Sequence, residues 1–172
     1  MSMHHGAPPI DAERARLAAY ERSLPPTPEP GGLYAPVTQV GPFLFTAGHT
    51  HAVRGVLDFR GPVGSDDCPT VEDARACARL AVQNCMASLA GHLDGLGAVD
   101  RVVQMTGYVA AGPAFGDHPR VMDAASEELV AAFGERGRPA RAAVGVASLP
   151  DGAVVEVSLV VTAASLEGKA GL

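Results

Sequence analysis

The chain is predicted to fold as one α+β domain, a sheet of short strands with two long helices packed on one face. Three stretches predict this: a capped amphipathic run after Thr70, a β-rich run over 99–110, and two apolar runs flanking Pro150-Asp151-Gly152. The 172 residues are enough to bury roughly 70% of the unfolded surface around a single core.

Residues 1–23 read as an N-terminal extension, in which Asp11 is a plausible N-cap for a short helix over Ala12 to Arg22. Residues 24–164 form the domain, and 165–172 a polar, Gly-containing tail. The domain opens on Ser23 to Gly32, whose four prolines remove amide donors and so rule out a regular element. Leu33 to Val40 and Pro42 to Gly48 read as two strands about a Gly41-Pro42 turn, and Arg54 to Gly64 as a third short strand between glycines.

Thr70 with Asp73 three residues later is a capping-box variant, and Glu72 and Asp73 suit the positive end of a helix. Val71, Ala74, Ala78, Ala81, Cys85, Leu89 and Leu93 then recur every three or four residues, the stripe of a helix packed on a sheet. Gly95 and Gly97 stop it. Val99 to Ala110 alternates as a strand, with Val103, Met105 and Gly107 on one face. Asp117 as N-cap and Pro119 in the first turn open a second helix that runs to Phe133 and stops at Gly134.

Composition excludes several functions. A formal net charge of −6 gives no electrostatic footprint for nucleic acid, which needs clustered Lys and Arg. No run of about 18 apolar residues and no signal-peptide pattern is present, so neither a membrane span nor export is predicted and the expected location is cytoplasmic. Cys68, Cys77 and Cys85 are odd in number and lack Cys-x-x-Cys spacing, which argues against a disulfide framework or a zinc site. His49-Thr50-His51 places two imidazoles on one face of a strand. Asp58, Asp66 and Asp67 are at no fixed spacing as further ligands, so no metal is expected.

The chemistry concentrates near the C-terminus. Arg138-Pro139-Ala140-Arg141-Ala142-Ala143-Val144-Gly145-Val146-Ala147 reads as a strand, Pro150-Asp151-Gly152 as a tight turn, and Ala153 to Val161 as a second strand. Alternation sets Arg141 on one face with Ala143, Gly145 and Ala147, a guanidinium over very small side chains that leave room for a ligand. Val155, Val157, Leu159 and Val161 form an apolar face, and Glu156 looks the other way. An Arg entering a strand is most often a solvated edge residue or half of an ion pair. If a simple hairpin turns near Asp151, Arg141 and Glu156 lie about five residues apart, roughly 16 Å along the sheet. A single chain then struggles to bring both to one ligand.

The segment from Gly137 to Glu156 resembles the C-terminal signature of the Rid (YjgF-type) family, and this chain is similar to a divergent branch of its longer, endoribonuclease-labelled group. The resemblance runs from about Leu24 to Thr162. It implies a chorismate-mutase-like fold, a homotrimer with its ligand site between subunits, and hydrolysis of enamines or imines to keto acids and ammonia without a cofactor. It also implies that Arg141 grips a small-molecule carboxylate, that Glu156 orients or activates water, and that Tyr34 covers the site. On sequence grounds alone Tyr34 is equally an amphipathic rim aromatic.

Backbone amides near Gly48 and Ala143 are further candidate donors, and Asp123 and His49 further candidate contacts. Where the deaminase branch carries Ser, Gln, Cys and Asn, this chain has Ala47, His49, Ala143 and Asp123. Carboxylate binding is therefore a firmer expectation than deamination, with a noncatalytic carboxylate-binding trimer as the alternative and an endoribonuclease a poor third.

Overall fold

A computed structural model describes residues 10–64 and 69–163. In chain order the elements are α1 (Ile10–Glu21), β1 (Val37–Val40), β2 (Phe43–Thr46), β3 (His49–Thr50), α2 (Val71–His92), β4 (Val99–Ala110), α3 (His118–Phe133), β5 (Ala140–Val146) and β6 (Val155–Ala163). One mixed sheet has the order β1-β2-β6-β4-β5, and β3 extends the β2 edge by pairing with β6. Among the strand pairs of the described residues, only β4 and β5 run parallel. Cys68, Asp66, Asp67 and the tail lie outside the described residues.

The two long helices form where their caps and stripes predict. Thr70 and Asp73 make the reciprocal capping box, with the Asp73 amide 3.2 Å from Thr70 Oγ1 and the Thr70 amide 2.9 Å from Asp73 Oδ2. Met86, Leu89, Val82 and Met122 are fully buried between the helices and the sheet. At the other end of α3, Gly134 has φ 62°, a left-handed conformation that only glycine adopts without strain. Asp117 precedes α3, but its side chain makes no capping bond. The N-terminal helix starts at Ile10, two residues before the expected position, and docks: Leu17 is buried, and Tyr20 Oη donates to Glu128 of α3 at 2.5 Å.

Three strand expectations are corrected. The first strand begins at Val37 instead of Leu33, leaving Tyr34 on a loop. The third strand is His49–Thr50, while Arg54 to Gly64 contributes only single bridges, Val53 with Val56 and Val63 with Ala111. Along β4 a register shift between Val102 and Gln104 breaks strict alternation, so Val102 and Met105 are both buried although three residues apart.

The largest correction concerns the C-terminal strand pair, which is not a hairpin. β4 lies between β5 and β6: Met105 is in register with Arg141 on one side and with Leu159 on the other. Pro150 to Gly152 does turn, with Asp151 at φ 55° and Gly152 at φ 75°, but the turn carries the chain across the end of β4. There the Ala110 amide bonds Val154 O and the Ala111 amide bonds Val146 O. A parallel β4-β5 pair needs a crossover, which α3 supplies. The antiparallel edge of β4 is left for β6. Local turn chemistry reports the turn and not the partners of the strands it joins.

Gly137 closes the return from α3 to β5. A Cβ at this position would overlap the backbone carbonyl of Leu129, which cannot move aside cheaply. Gly137→Ala is expected to destabilise the fold by about 1–3 kcal/mol through overpacking, read as a lower thermal midpoint. Gly97→Ala, with open space around its Cβ, is the near-neutral control.

Candidate functional site

An open cleft of about 1090 Å³ lies beside β3, and it gathers Tyr34, Gly48, His49 and Glu156 from the expected site. Glu156 follows from strand period: its neighbours Val155 and Val157 are buried in the core, so its carboxyl points to the opposite face. That face here meets the break between β2 and β3, where Gly48 lies outside both ladders. A Cβ on Gly48 would overlap Glu156 Oε1, so the missing side chain is what admits the carboxyl. Among the described residues the Glu156 carboxyl has no hydrogen-bond or ion-pair partner. Burial pushes its pKa above the ordinary glutamate value.

Tyr34 stands at the rim, about half exposed, with its hydroxyl accepting from the Gly31 amide at 3.1 Å. The Pro-rich loop before it forms one wall. His49 lines the cleft at 8% exposure, and among the described residues its Nε2 has no partner. Burial holds its pKa below the ordinary histidine value, so the ring is neutral near pH 7. His51 turns elsewhere: it is buried, with Nε2 3.1 Å from Phe59 O. Among the described residues no three His, Cys, Asp or Glu side chains gather as a metal-binding group. Ala47 lines the cleft without offering a polar atom.

Arg141, Ala143 and Asp123 form a separate group. Arg141 points from edge strand β5 towards α3, where Nη1 donates to Asp123 Oδ1 at 2.8 Å and to Ser126 Oγ at 3.0 Å. Asp123 Oδ1 is thus engaged by the guanidinium. The bare-strand reading of Arg141 as half of an ion pair holds in this chain. Both recorded bonds use one nitrogen, so Nε and Nη2 keep an edge of the planar fork for a carboxylate. The Asp123 side chain is 53% exposed and that of Arg141 23%, so the pair orients the fork more than it stabilises the fold. Ala143 and Gly145 continue the floor: Ala143 packs on the core, and the bare Gly145 backbone admits the His118 ring.

The two groups do not meet within one chain. Arg141 is in register with Met105 of β4 and Glu156 with Tyr108. Two strand spacings and three residues along β4 therefore separate them, roughly 14 Å. They also project from opposite faces of the sheet. The obstacle anticipated from a five-residue hairpin offset is real, but its cause is the intervening strand.

Comparisons with known proteins agree with this architecture. The family model described as "YjgF/chorismate mutase-like, putative endoribonuclease" matches residues 14–163. The chain belongs to the YjgF/Rid family. Its α+β fold, with a mixed sheet and three helices, is that of the family. A solved protein of unknown function from Agrobacterium tumefaciens is 34% identical, over 90% of this chain and 94% of that one, with a TM-score of 0.79. A Shewanella oneidensis structure carrying the endoribonuclease description is 29% identical, over 87% and 98%, also at 0.79.

RidA from an Antarctic Psychrobacter is 25% identical, over 79% and 93%, at 0.55. Protein TCP17 of Trypanosoma cruzi is 40% identical over 93 residues, a match covering 54% of this chain and 58% of that relative's length. The YjgF/Rid model begins inside α1, so most of the helix read as an extension falls within the matched region.

Asn84 is a polar cleft residue that the sequence reading missed. Asn84, on the middle of α2, is 1% exposed and lines the cleft. Its Nδ2 donates to Thr50 O at 2.8 Å and to Ala52 O at 2.9 Å, which ties α2 to β3. The signal was a polar pair, Asn84 and Ser88, four residues apart inside an otherwise apolar helix face. Both are buried.

The raised pKa of Glu156 has a stability consequence. The folded chain holds this proton more tightly than the unfolded chain, so stability is full below the ordinary value of 4.5 and is lost as pH rises through the raised value. Glu156→Gln never ionises and escapes that loss. Its thermal midpoint is expected to exceed that of the wild type at pH 7, with the gap closing at pH 4.

Proposed function

We propose that the protein is a Rid-type deaminase that hydrolyses a small enamine or imine carrying a carboxylate, giving a keto acid and ammonia. The observation that carries this reading is the unpartnered, half-buried Glu156 carboxyl, seated against the bare backbone of Gly48 in an open cleft. A water oxygen adds to the imine carbon while Glu156 takes one of its protons. That proton passes to the nitrogen, giving a carbinolamine; the carbinolamine hydroxyl then yields its proton through Glu156 to the same nitrogen as the C=O forms and the C–N bond breaks, and ammonia leaves. A carboxyl with a raised pKa suits both transfers. Arg141 holds the substrate carboxylate through Nε and Nη2, steadied by Asp123 and Ser126. Tyr34 covers the rim, and amides near Gly48 and Ala143 face developing charge.

In this reading the site closes between copies of the chain. Two half-sites on different faces suit a head-to-tail contact, which forms a ring where its rotation closes, and a homotrimer is the ring we propose. Exposed Val40, Phe43, Phe45 and Val144 and the unpaired edge of β5 supply surface for it. Ala47 and Ala143, which offer no side-chain donor, favour the second reading, a noncatalytic carboxylate-binding ring. The endoribonuclease reading has less support, because a chain of net charge −6 offers little for phosphates.

The test is a coupled assay in which an amino-acid oxidase makes 2-imino acids in situ. Wild type should accelerate keto-acid release. Arg141→Ala should lower kcat/KM at least about 30-fold, the low end for removing one partner of a buried charged contact. Glu156→Gln should lower it about 10²–10⁴-fold, as expected for loss of a general base. Binding of 2-keto acids with no acceleration in any arm selects the noncatalytic reading. Sedimentation should give three times the 17.6 kDa chain mass.

A further inference from the structure

The buried side-chain polar atoms without a partner among the described residues are His49 Nε2, His51 Nδ1, Asn84 Oδ1 and Ser88 Oγ, all on the β3 region or the middle of α2. Buried polar atoms are otherwise almost always paired, because an orphan loses its hydrogen bonds to water and gains none in return. Two of these residues, His49 and Asn84, line the cleft. The orientation of Asn84 is not ambiguous. Both partners on its other branch are carbonyl oxygens, so that branch is the NH₂ and the orphan is the carbonyl, an acceptor. It lacks a donor.

Glu29, Arg54 and Asp151 are exposed on the rim of the cleft, and the side chain of Glu156, in register with Thr50, is directed at the bare backbone of Gly48. The Asn84 floor holds neutral groups at 1% and 8% exposure. A cation placed there would lose its water, at a cost that a neutral carbonyl does not repay. An apolar group would leave Oδ1 unmet. A neutral group with an N–H or O–H meets the site's requirement.

From this we infer that Asn84, with His49 lining the same cleft, is a specificity-determining subsite, and that it selects substrates whose side chain ends in a neutral hydrogen-bond donor, a carbamoyl or hydroxyl group. The inference rests on the proposed deaminase reading and names its substrate class. The recess takes the end of the substrate remote from the carboxylate. Selection works by exclusion as much as by attraction. A site built to bond a polar group rejects the apolar isostere, which leaves the site's own acceptor unpaired.

The experiment compares imines of matched shape, made in situ from asparagine against leucine and from threonine against valine. Wild type is expected to prefer the polar member of each pair by at least about tenfold in kcat/KM. In Asn84→Ala the preference should fall towards one. The ratio is independent of how much of the variant is folded, so a loss of the Thr50 and Ala52 bonds does not obscure it. Wild type that hydrolyses both members equally, or an unchanged ratio in Asn84→Ala, overturns the subsite and leaves deamination standing.

If wild type accelerates no imine, the deaminase reading has failed, and calorimetry with the corresponding 2-keto acids decides the subsite separately. Tighter binding of the carbamoyl acid than of the isobutyl acid, lost in Asn84→Ala, supports it. Equal binding of the two, or none, overturns it.

Discussion

Everything that matters for the site follows from the pairing of β4 on both of its edges. The strand is 12 residues long, is in parallel register with β5 on one side, and is in antiparallel register with β6 on the other. Through that arrangement one chain carries its guanidinium and its carboxyl on opposite faces, separated by the full width of a buried strand. A sheet cannot bring such groups together by side-chain motion. In the proposed reading each chain holds two incomplete sites, and the ring is the arrangement that uses both.

Small residues decide what each half accepts. Gly48 makes room for Glu156 and Gly145 for His118, while Ala143 keeps the floor beside Arg141 low. These positions are conspicuous for what they lack, since any Cβ at Gly48 would occupy the place of the carboxyl. The two halves also differ in electrostatic character. Arg141 is steadied by Asp123 and Ser126 at a partly solvated edge, where the ion pair is worth little and the fork stays available. Glu156 has no partner among the described residues, and its burial raises its affinity for a proton. One half is suited to hold a charge and the other to move one.

The helix layer contributes more than support. Asn84 spends its NH₂ on carbonyls at the β3 end of the cleft and leaves its oxygen unmet. The same residue thus fixes the floor and gives it a polarity. Tyr20 and Glu128 pin α1 to α3 through a hydrogen bond whose charge and burial raise the phenol's pKa. The ion pairs of Arg75 and Arg79 with Glu127 stitch α2 to α3 on the outer surface.

What the sequence by itself determined was local. The Thr70 and Asp73 cap, the α2 stripe, the stop at Gly134 and the run of β4 are set by contacts within a few residues, and each formed as expected. Strand period placed Glu156 away from the core and Arg141 on the face of Ala143 and Gly145 for the same reason. Only the tertiary structure decided which strands are neighbours. The turn signal at Pro150 to Gly152 is silent about β4, whose insertion depends on the α3 crossover and on pairing between residues 36 to 64 positions apart. The pairing of Asp123 with Arg141 and the place of Asn84 at the cleft also needed three dimensions. A polar residue on a helix shows its partner, or the absence of one, only when the other elements are packed against it.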